Sequence, residues 1–137
     1  METKPIAAGL KIITVEDSAL IVSRVREMLS DIVGVEFVGN AGNIPAALDL
    51  IKTEYPDVMI LDINLGTHDG TNGIDLLNVV RKIYPAINVI MLTNLTDEHY
   101  RSLCAYNGAH YFFDKSNDFD KIPDALSQIM EKRKQTG

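Results

Sequence analysis

The sequence holds a single cysteine, Cys104, among 137 residues. One thiol cannot close an internal disulfide and fits a reducing compartment, so the chain reads as cytoplasmic. Flanked by Leu103 and Ala105, Cys104 reads as a small core residue. Basic charge is also scarce: 13 Lys and Arg stand against 19 Asp and Glu, a formal net charge of -6. Nucleic-acid phosphates need a basic footprint, so no nucleic-acid partner is expected. The one dense basic run, Lys132-Arg133-Lys134, is better placed in the last turn of a helix, where cations meet the negative end of the dipole. No apolar run approaches the ~18 residues of a membrane span. Met1-Glu2-Thr3-Lys4-Pro5 opens without the apolar stretch of a secretory leader. Internal repeats, low-complexity stretches and linkers are absent too.

What remains is the composition of an ordinary globular domain, 46% hydrophobic and 23% charged. A chain this long buries roughly two-thirds of its unfolded surface and needs no metal or disulfide staple. One domain over residues 10–132 is expected, with 1–9 and 133–137 as short flexible termini.

Short apolar runs alternate with amphipathic segments. Strands are predicted at 10–15, 35–38, 57–62, 87–92 and 109–113, and the third is apolar throughout, as when both sheet faces are covered. Between them lie helical stripes. Ser18 caps one carrying Ile21, Val25, Met28, Leu29 and Ile32, and Asn43 caps one carrying Ile44, Ala47, Leu48 and Ile51. A third carries Leu76, Val79, Val80 and Ile83. A weaker fourth, about 96–107, carries Tyr100, Leu103 and Cys104 before Gly108. The last carries Ile122, Ala125, Leu126, Ile129 and Met130. Strict alternation of strand and helix predicts an α/β, flavodoxin-like (βα)5 doubly wound sheet. Its five parallel strands take the order 2-1-3-4-5, common for this class, with helices on both faces.

Polar residues interrupt the strands at their C-terminal ends: Glu16-Asp17, Asp62, Thr93 and Lys115. In an open parallel sheet these ends share one edge, where ligands bind. Three clustered carboxylates repel unless a cation sits among them. Hard oxygen donors in an incomplete cage suit Mg²⁺, with Mn²⁺ able to substitute. Aspartate can be a nucleophile toward phosphorus, and lysine and threonine supply a charge and a hydroxyl for phosphoryl oxygens. These parts describe Mg²⁺-dependent phosphoryl transfer onto an aspartate.

Glu16-Asp17, Asp62 in Leu61-Asp62-Ile63-Asn64-Leu65, Thr93, and Lys115 in Gly108-Ala109-His110-Tyr111-Phe112-Phe113-Asp114-Lys115 together resemble the receiver domain of two-component response regulators. The resemblance spans about residues 10–132. It implies that Asp62 accepts a phosphoryl group from a histidine kinase or histidine phosphotransfer protein. Asp17 would hold Mg²⁺ directly, Glu16 mainly through water, and Asn64 through its backbone carbonyl. Thr93 and Lys115 would contact the phosphoryl oxygens, and Phe112 would be the aromatic that turns inward as Thr93 moves. The weak fourth helix, fifth strand and fifth helix are the expected surface for a downstream protein or a second copy, with Tyr100, Tyr106 and His110 as candidate contacts.

The sequence departs from the family at Gly66 and Ser116, where proline is frequent, at Asn94, where a smaller residue is common, and in its longer loop 66–73. The segment after Lys115 suffices for one helix and no output domain. A stand-alone regulator, a relay intermediate and the receiver of a longer protein all fit. The expectation is a signalling module rather than an enzyme. The alternative is a small haloacid-dehalogenase-like phosphatase, but such enzymes resemble Asp-x-Asp where this chain has Asp62-Ile63-Asn64. A Ca²⁺ loop starting at Asp62 fails, because its sixth position is Thr67 and its twelfth Gly73. His68, His99 and His110 lack zinc-ligand spacing and read as surface or loop residues.

Overall fold

A computed structural model describes residues 9–136. The elements are β1 (Leu10–Val15), α1 (Ala19–Ser30), β2 (Val35–Ala41), α2 (Ile44–Glu54), β3 (Val58–Leu61), α3 (Gly73–Ile83), β4 (Asn88–Thr93), α4 (Glu98–Tyr106) and β5 (Tyr111–Asp114). A 3-10 turn at Phe119–Lys121 leads into α5 (Ile122–Thr136). All strand pairs are parallel, as the alternating pattern predicts, and the order is β2-β1-β3-β4-β5, the one expected for this class.

Successive strand residues point to opposite faces, and each face has its own core. Ile13, Val15, Met59, Leu61, Val89 and Met91 pack under α2, α3 and α4. Ile12, Val58, Ile60, Ile90 and Leu92 pack under α1 and α5. Full cover on both sides is why the central strands carry unbroken apolar runs. The caps read from sequence hold: Ser18 Oγ accepts from Ile21 N and Asn43 Oδ1 from Ala46 N.

Several boundaries differ from the sequence pattern. β2 runs on to Ala41 because Asn40 and Ala41 pair with Thr14 and Val15, past a bulge opposite Ile12 and Ile13. β4 includes Thr93, and β5 starts only at Tyr111, so Lys115 directly follows it. α4 starts at Glu98, since the Asp97 side chain accepts the Tyr100 amide at 3.2 Å and caps the helix there. α3 turns Ile74, Leu76, Leu77 and Val80 inward. Val79 is half-buried and Ile83 is 63% exposed, so the inner face is turned toward Ile74 and Leu77 relative to the predicted stripe. The C-terminal segment expected to be loose from residue 133 is helical through Thr136, and Arg133 meets Asp57 at 2.8 Å. The expected flexibility of residues 1–8 falls outside the described residues.

Candidate functional site

The sheet delivers the polar strand ends to one edge. Glu16 follows β1, Asp62 follows β3, Thr93 closes β4 and Lys115 follows β5. Backbone bonds fix each position: Glu16 N to Ala41 O at 2.9 Å, Asp62 N to Val15 O at 3.1 Å, and Lys115 N to Thr93 O at 3.0 Å. Lys115 Nζ lies 2.9 Å from Glu16 Oε1 and 2.9 Å from Asp62 Oδ2. Both carboxylates are 5% exposed.

Burial pushes the Glu16 carboxyl up, and the bonds from Lys115 and the Ser18 amide offset this only in part. Burial pulls the Lys115 ammonium down, but hydrogen bonds to Glu16 and Asp62 outweigh it and hold the group above its ordinary value. Lys115 therefore stays charged. A buried ammonium shared by two acids is a poor stabilising device, because desolvation consumes most of the attraction. The arrangement fits binding better.

Asp17 is exposed and completes the acid group: one carboxylate oxygen from each of Glu16, Asp17 and Asp62 lies within 4.8 Å of the others. The donors are all hard oxygens, and among the described residues no His or Cys joins such a group. That chemistry fits Mg²⁺ or Mn²⁺ and not zinc. Gly66 leaves the space beside Asp17 open. A β-carbon there would sit 3.1 Å from Asp17 Oδ2, at a φ of +66° that side chains avoid.

Of the remaining expected residues, Thr93 and Asn64 lie at this edge, Phe112 lies within β5, and His110 lies at the opposite, N-terminal end of that strand beside Val89. Thr93 is fully buried, and its Oγ1 accepts the Leu95 amide at 3.1 Å. Asn64 is exposed; its Oδ1 takes the Gly66 amide at 3.2 Å, while its own amide is a long 3.4 Å from Asp62 Oδ1. Phe112 is half-buried and packs on the α2–α3–α4 core, whereas Tyr111 and Phe113 pack on the α1–α5 core. The Arg101 guanidinium carbon stands 4.7 Å from the Phe112 ring centre. Tyr106 is 88% exposed, His110 is exposed and Tyr100 half-buried.

The long loop is internally tied: Thr67 Oγ1 donates to Thr71 O, and Asp69 Oδ1 accepts from both the amide and hydroxyl of Thr71. Asn72 and Asp75 then form a capping box that starts α3. Ser116 also has a local reason. Its amide donates to Asp114 Oδ1 at 2.8 Å, a bond proline could not make. Among the described residues no peptide bond is cis, so Lys115–Ser116 is trans.

Two supporting residues escaped the sequence reading. Asn40 Oδ1 accepts from the buried Thr14 hydroxyl at 2.7 Å, and Asn40 Nδ2 donates to Glu16 O at 3.2 Å. The signal was a polar residue at the C-terminal end of β2, hidden because the strand was ended at residue 38.

A family model described as "Response regulator receiver domain" matches residues 12–127. A protein-glutamate methylesterase/protein-glutamine glutaminase 1 from Carboxydothermus hydrogenoformans is 36% identical over 126 residues, covering 90% of this chain and 35% of that protein. The "Probable C4-dicarboxylate response regulator DctR" of Bacillus subtilis is 30% identical over 121 residues, covering 88% of this chain and 52% of that protein. The chain thus spans between 35% and 52% of the length of these two relatives. Among solved structures, the isolated REC domain of RcsB from Salmonella enterica serovar Typhimurium, with phosphomimetic BeF3-, superposes with a TM-score of 0.83. It covers 90% of this chain and 89% of that one at 20% identity, a likeness of fold alone. A DNA-binding response regulator of the LuxR family from Staphylococcus aureus gives a TM-score of 0.77 at 22% identity, covering 88% and 98%. The phosphatase alternative finds no support in these similarities, and Asn64 stands where its second acid would be.

Proposed function

This chain belongs to the response regulator receiver domain family, and from that premise we propose that it is a phosphoacceptor switch with Asp62 as the acceptor. The observation that carries the reading is Lys115 Nζ, held 2.9 Å from both Asp62 and Glu16 on a buried strand edge. An Asp62 oxygen displaces the imidazole nitrogen of a phosphohistidine. The P–O bond of an acyl phosphate forms as the P–N bond breaks, and the departing imidazole takes a proton from solvent. Lys115 neutralises charge on the phosphoryl oxygens, and the Thr93 hydroxyl donates to one of them.

Asp17, Asp62 and the Asn64 carbonyl would hold Mg²⁺ directly, and Glu16 through water. An ion held there would supply positive charge against the carboxylates and the phosphoryl oxygens.

The donor is a histidine kinase or histidine phosphotransfer protein in the cytoplasm, a setting in keeping with one buried, reduced cysteine. The output surface is α4, β5 and α5, with Tyr100, Tyr106 and His110 available to a target protein or second copy. α4 fully buries only Cys104, so it is the helix most easily moved. Residues 10–132 are the working unit, a signalling module rather than an enzyme. The esterase activity named for one relative belongs to a protein of which this chain spans 35%. Intact-mass measurement after acetyl phosphate and Mg²⁺ tests the reading. One added phosphoryl group, absent in Asp62→Asn, is expected, and an equal gain in that variant contradicts it.

A further inference from the structure

Arg101, on the first turns of α4, touches two elements that its own helix does not contain. Its guanidinium carbon lies 4.7 Å from the centre of the Phe112 ring on β5. Its Nε donates to Thr96 O, at 3.2 Å, in the connection between β4 and α4. The same connection is tied one step earlier, where the Leu95 amide donates to Thr93 Oγ1 at 3.1 Å. Thr93 Oγ1 is thus engaged by its own loop and bonds neither Asp62 nor Lys115. A continuous path runs from the buried Thr93 hydroxyl through Leu95 and Thr96 to Arg101 and the Phe112 ring.

We propose that Arg101 is a positioning residue, a latch that holds Phe112 and residues 94–97 in the arrangement in which Thr93 faces its own loop. The inference rests on Asp62 being the acceptor. For Thr93 to reach a phosphoryl oxygen on Asp62, its side chain turns from the loop to the site and releases the Leu95 amide. The loop then shifts, Thr96 O leaves Arg101, and the guanidinium loses the bond that helps hold it over the ring. Arginine suits the task because one planar group both stacks on an aromatic face and donates in its own plane. Lysine is a point charge with no plane to stack, so it cannot do both at once in this geometry. The coupling is reciprocal: whatever the latch contributes to the resting arrangement, phosphoryl binding must overcome. An exposed cation–π contact corresponds to roughly a two- to fivefold change in a binding constant.

The test is beryllofluoride affinity in the presence of Mg²⁺, followed by amide chemical shifts, for wild type, Arg101→Ala, Arg101→Lys, Phe112→Leu and the Arg101→Ala/Phe112→Leu double variant. Arg101→Ala should bind roughly two- to fivefold more tightly, with Arg101→Lys between it and wild type. In the Phe112→Leu background the gain from Arg101→Ala should shrink. The Arg101 side-chain protons should lose their ring-current shift on saturation of the wild type. Packing alone would lower the melting temperature of Arg101→Ala and leave its affinity unchanged, and that result overturns the latch. Wild type that binds no beryllofluoride, or binding that survives Asp62→Asn, overturns the acceptor reading and the latch with it.

Discussion

Gly73, the first residue of α3, sits against the backbone of Asp62: a β-carbon on it would lie 2.0 Å from the Asp62 carbonyl oxygen. The Gly73 amide also donates to Ile63 O at 2.7 Å, so the long loop returns to the strand end it left. Neither backbone can yield without moving Asp62. Gly73→Ala is expected to destabilise the fold by about 2 kcal/mol or more, the cost of overpacking a rigid contact. Gly42→Ala, where an added β-carbon meets nothing within 4 Å, is the control and should be near neutral. Denaturant midpoints check both, and equal midpoints for the two variants would contradict the contact.

His110, just before β5, reaches the neighbouring strand β4, its Nδ1 accepting the Val89 amide at 3.0 Å. Although the residue keeps an exposed surface, desolvation of its ring by neighbouring groups, then the charges of Arg81 on α3 and Lys132 on α5, hold its pKa below the ordinary 6.5. The folded state therefore binds fewer protons than the unfolded chain between the folded value and 6.5. This contribution is fully present above 6.5, is lost as pH falls through that window, and levels off below the folded pKa. His110→Gln should show a flatter fall in stability from pH 7.5 to 5.5 than wild type. An NMR titration should place the His110 midpoint below 6.5, and a midpoint above it would reverse the sign.

Burial pushes the Cys104 thiol up to about 11. Thiolate is the reactive form, so native protein at pH 8 should react slowly with a disulfide reagent. Reaction should accelerate with denaturant in step with unfolding. Rapid stoichiometric labelling of native protein would mean that α4 opens far more readily than its packing implies.

Asp17 is exposed, so Asp17→Asn should leave the melting temperature close to wild type while removing a metal donor. Mg²⁺ or Mn²⁺ affinity is expected to fall by roughly tenfold or more. Tight Zn²⁺ binding by the wild type would contradict an all-oxygen site.

The strands, helices and both buried faces were legible because apolar runs and helical stripes are dictated by which surfaces are covered. The strand order followed from the order common for the class and not from the pattern itself. The site was legible because polar residues at the ends of such runs have no packing role there. Less legible were features that depend on neighbours distant in sequence. Asn40 escaped because its strand continues past the apolar run only through pairing with Thr14 and Val15. Ser116 read as a mere departure until Asp114 supplied an acceptor for its amide. Val79 and Ile83 matched a helical period, yet the buried face of α3 is turned toward Ile74 and Leu77. Periodicity names a face and tertiary contact sets where it is centred.

Asp62, paired with Lys115 at 2.9 Å, is the residue proposed to carry the phosphoryl group. Borohydride reduces an acyl phosphate but not a free carboxylate, so reduction after phosphorylation by acetyl phosphate marks the acceptor. Peptide mapping by mass spectrometry should find homoserine at position 62, dependent on Mg²⁺ and absent when Lys115→Ala fails to accumulate the adduct. Homoserine at position 17, at another aspartate, or at none would contradict the account.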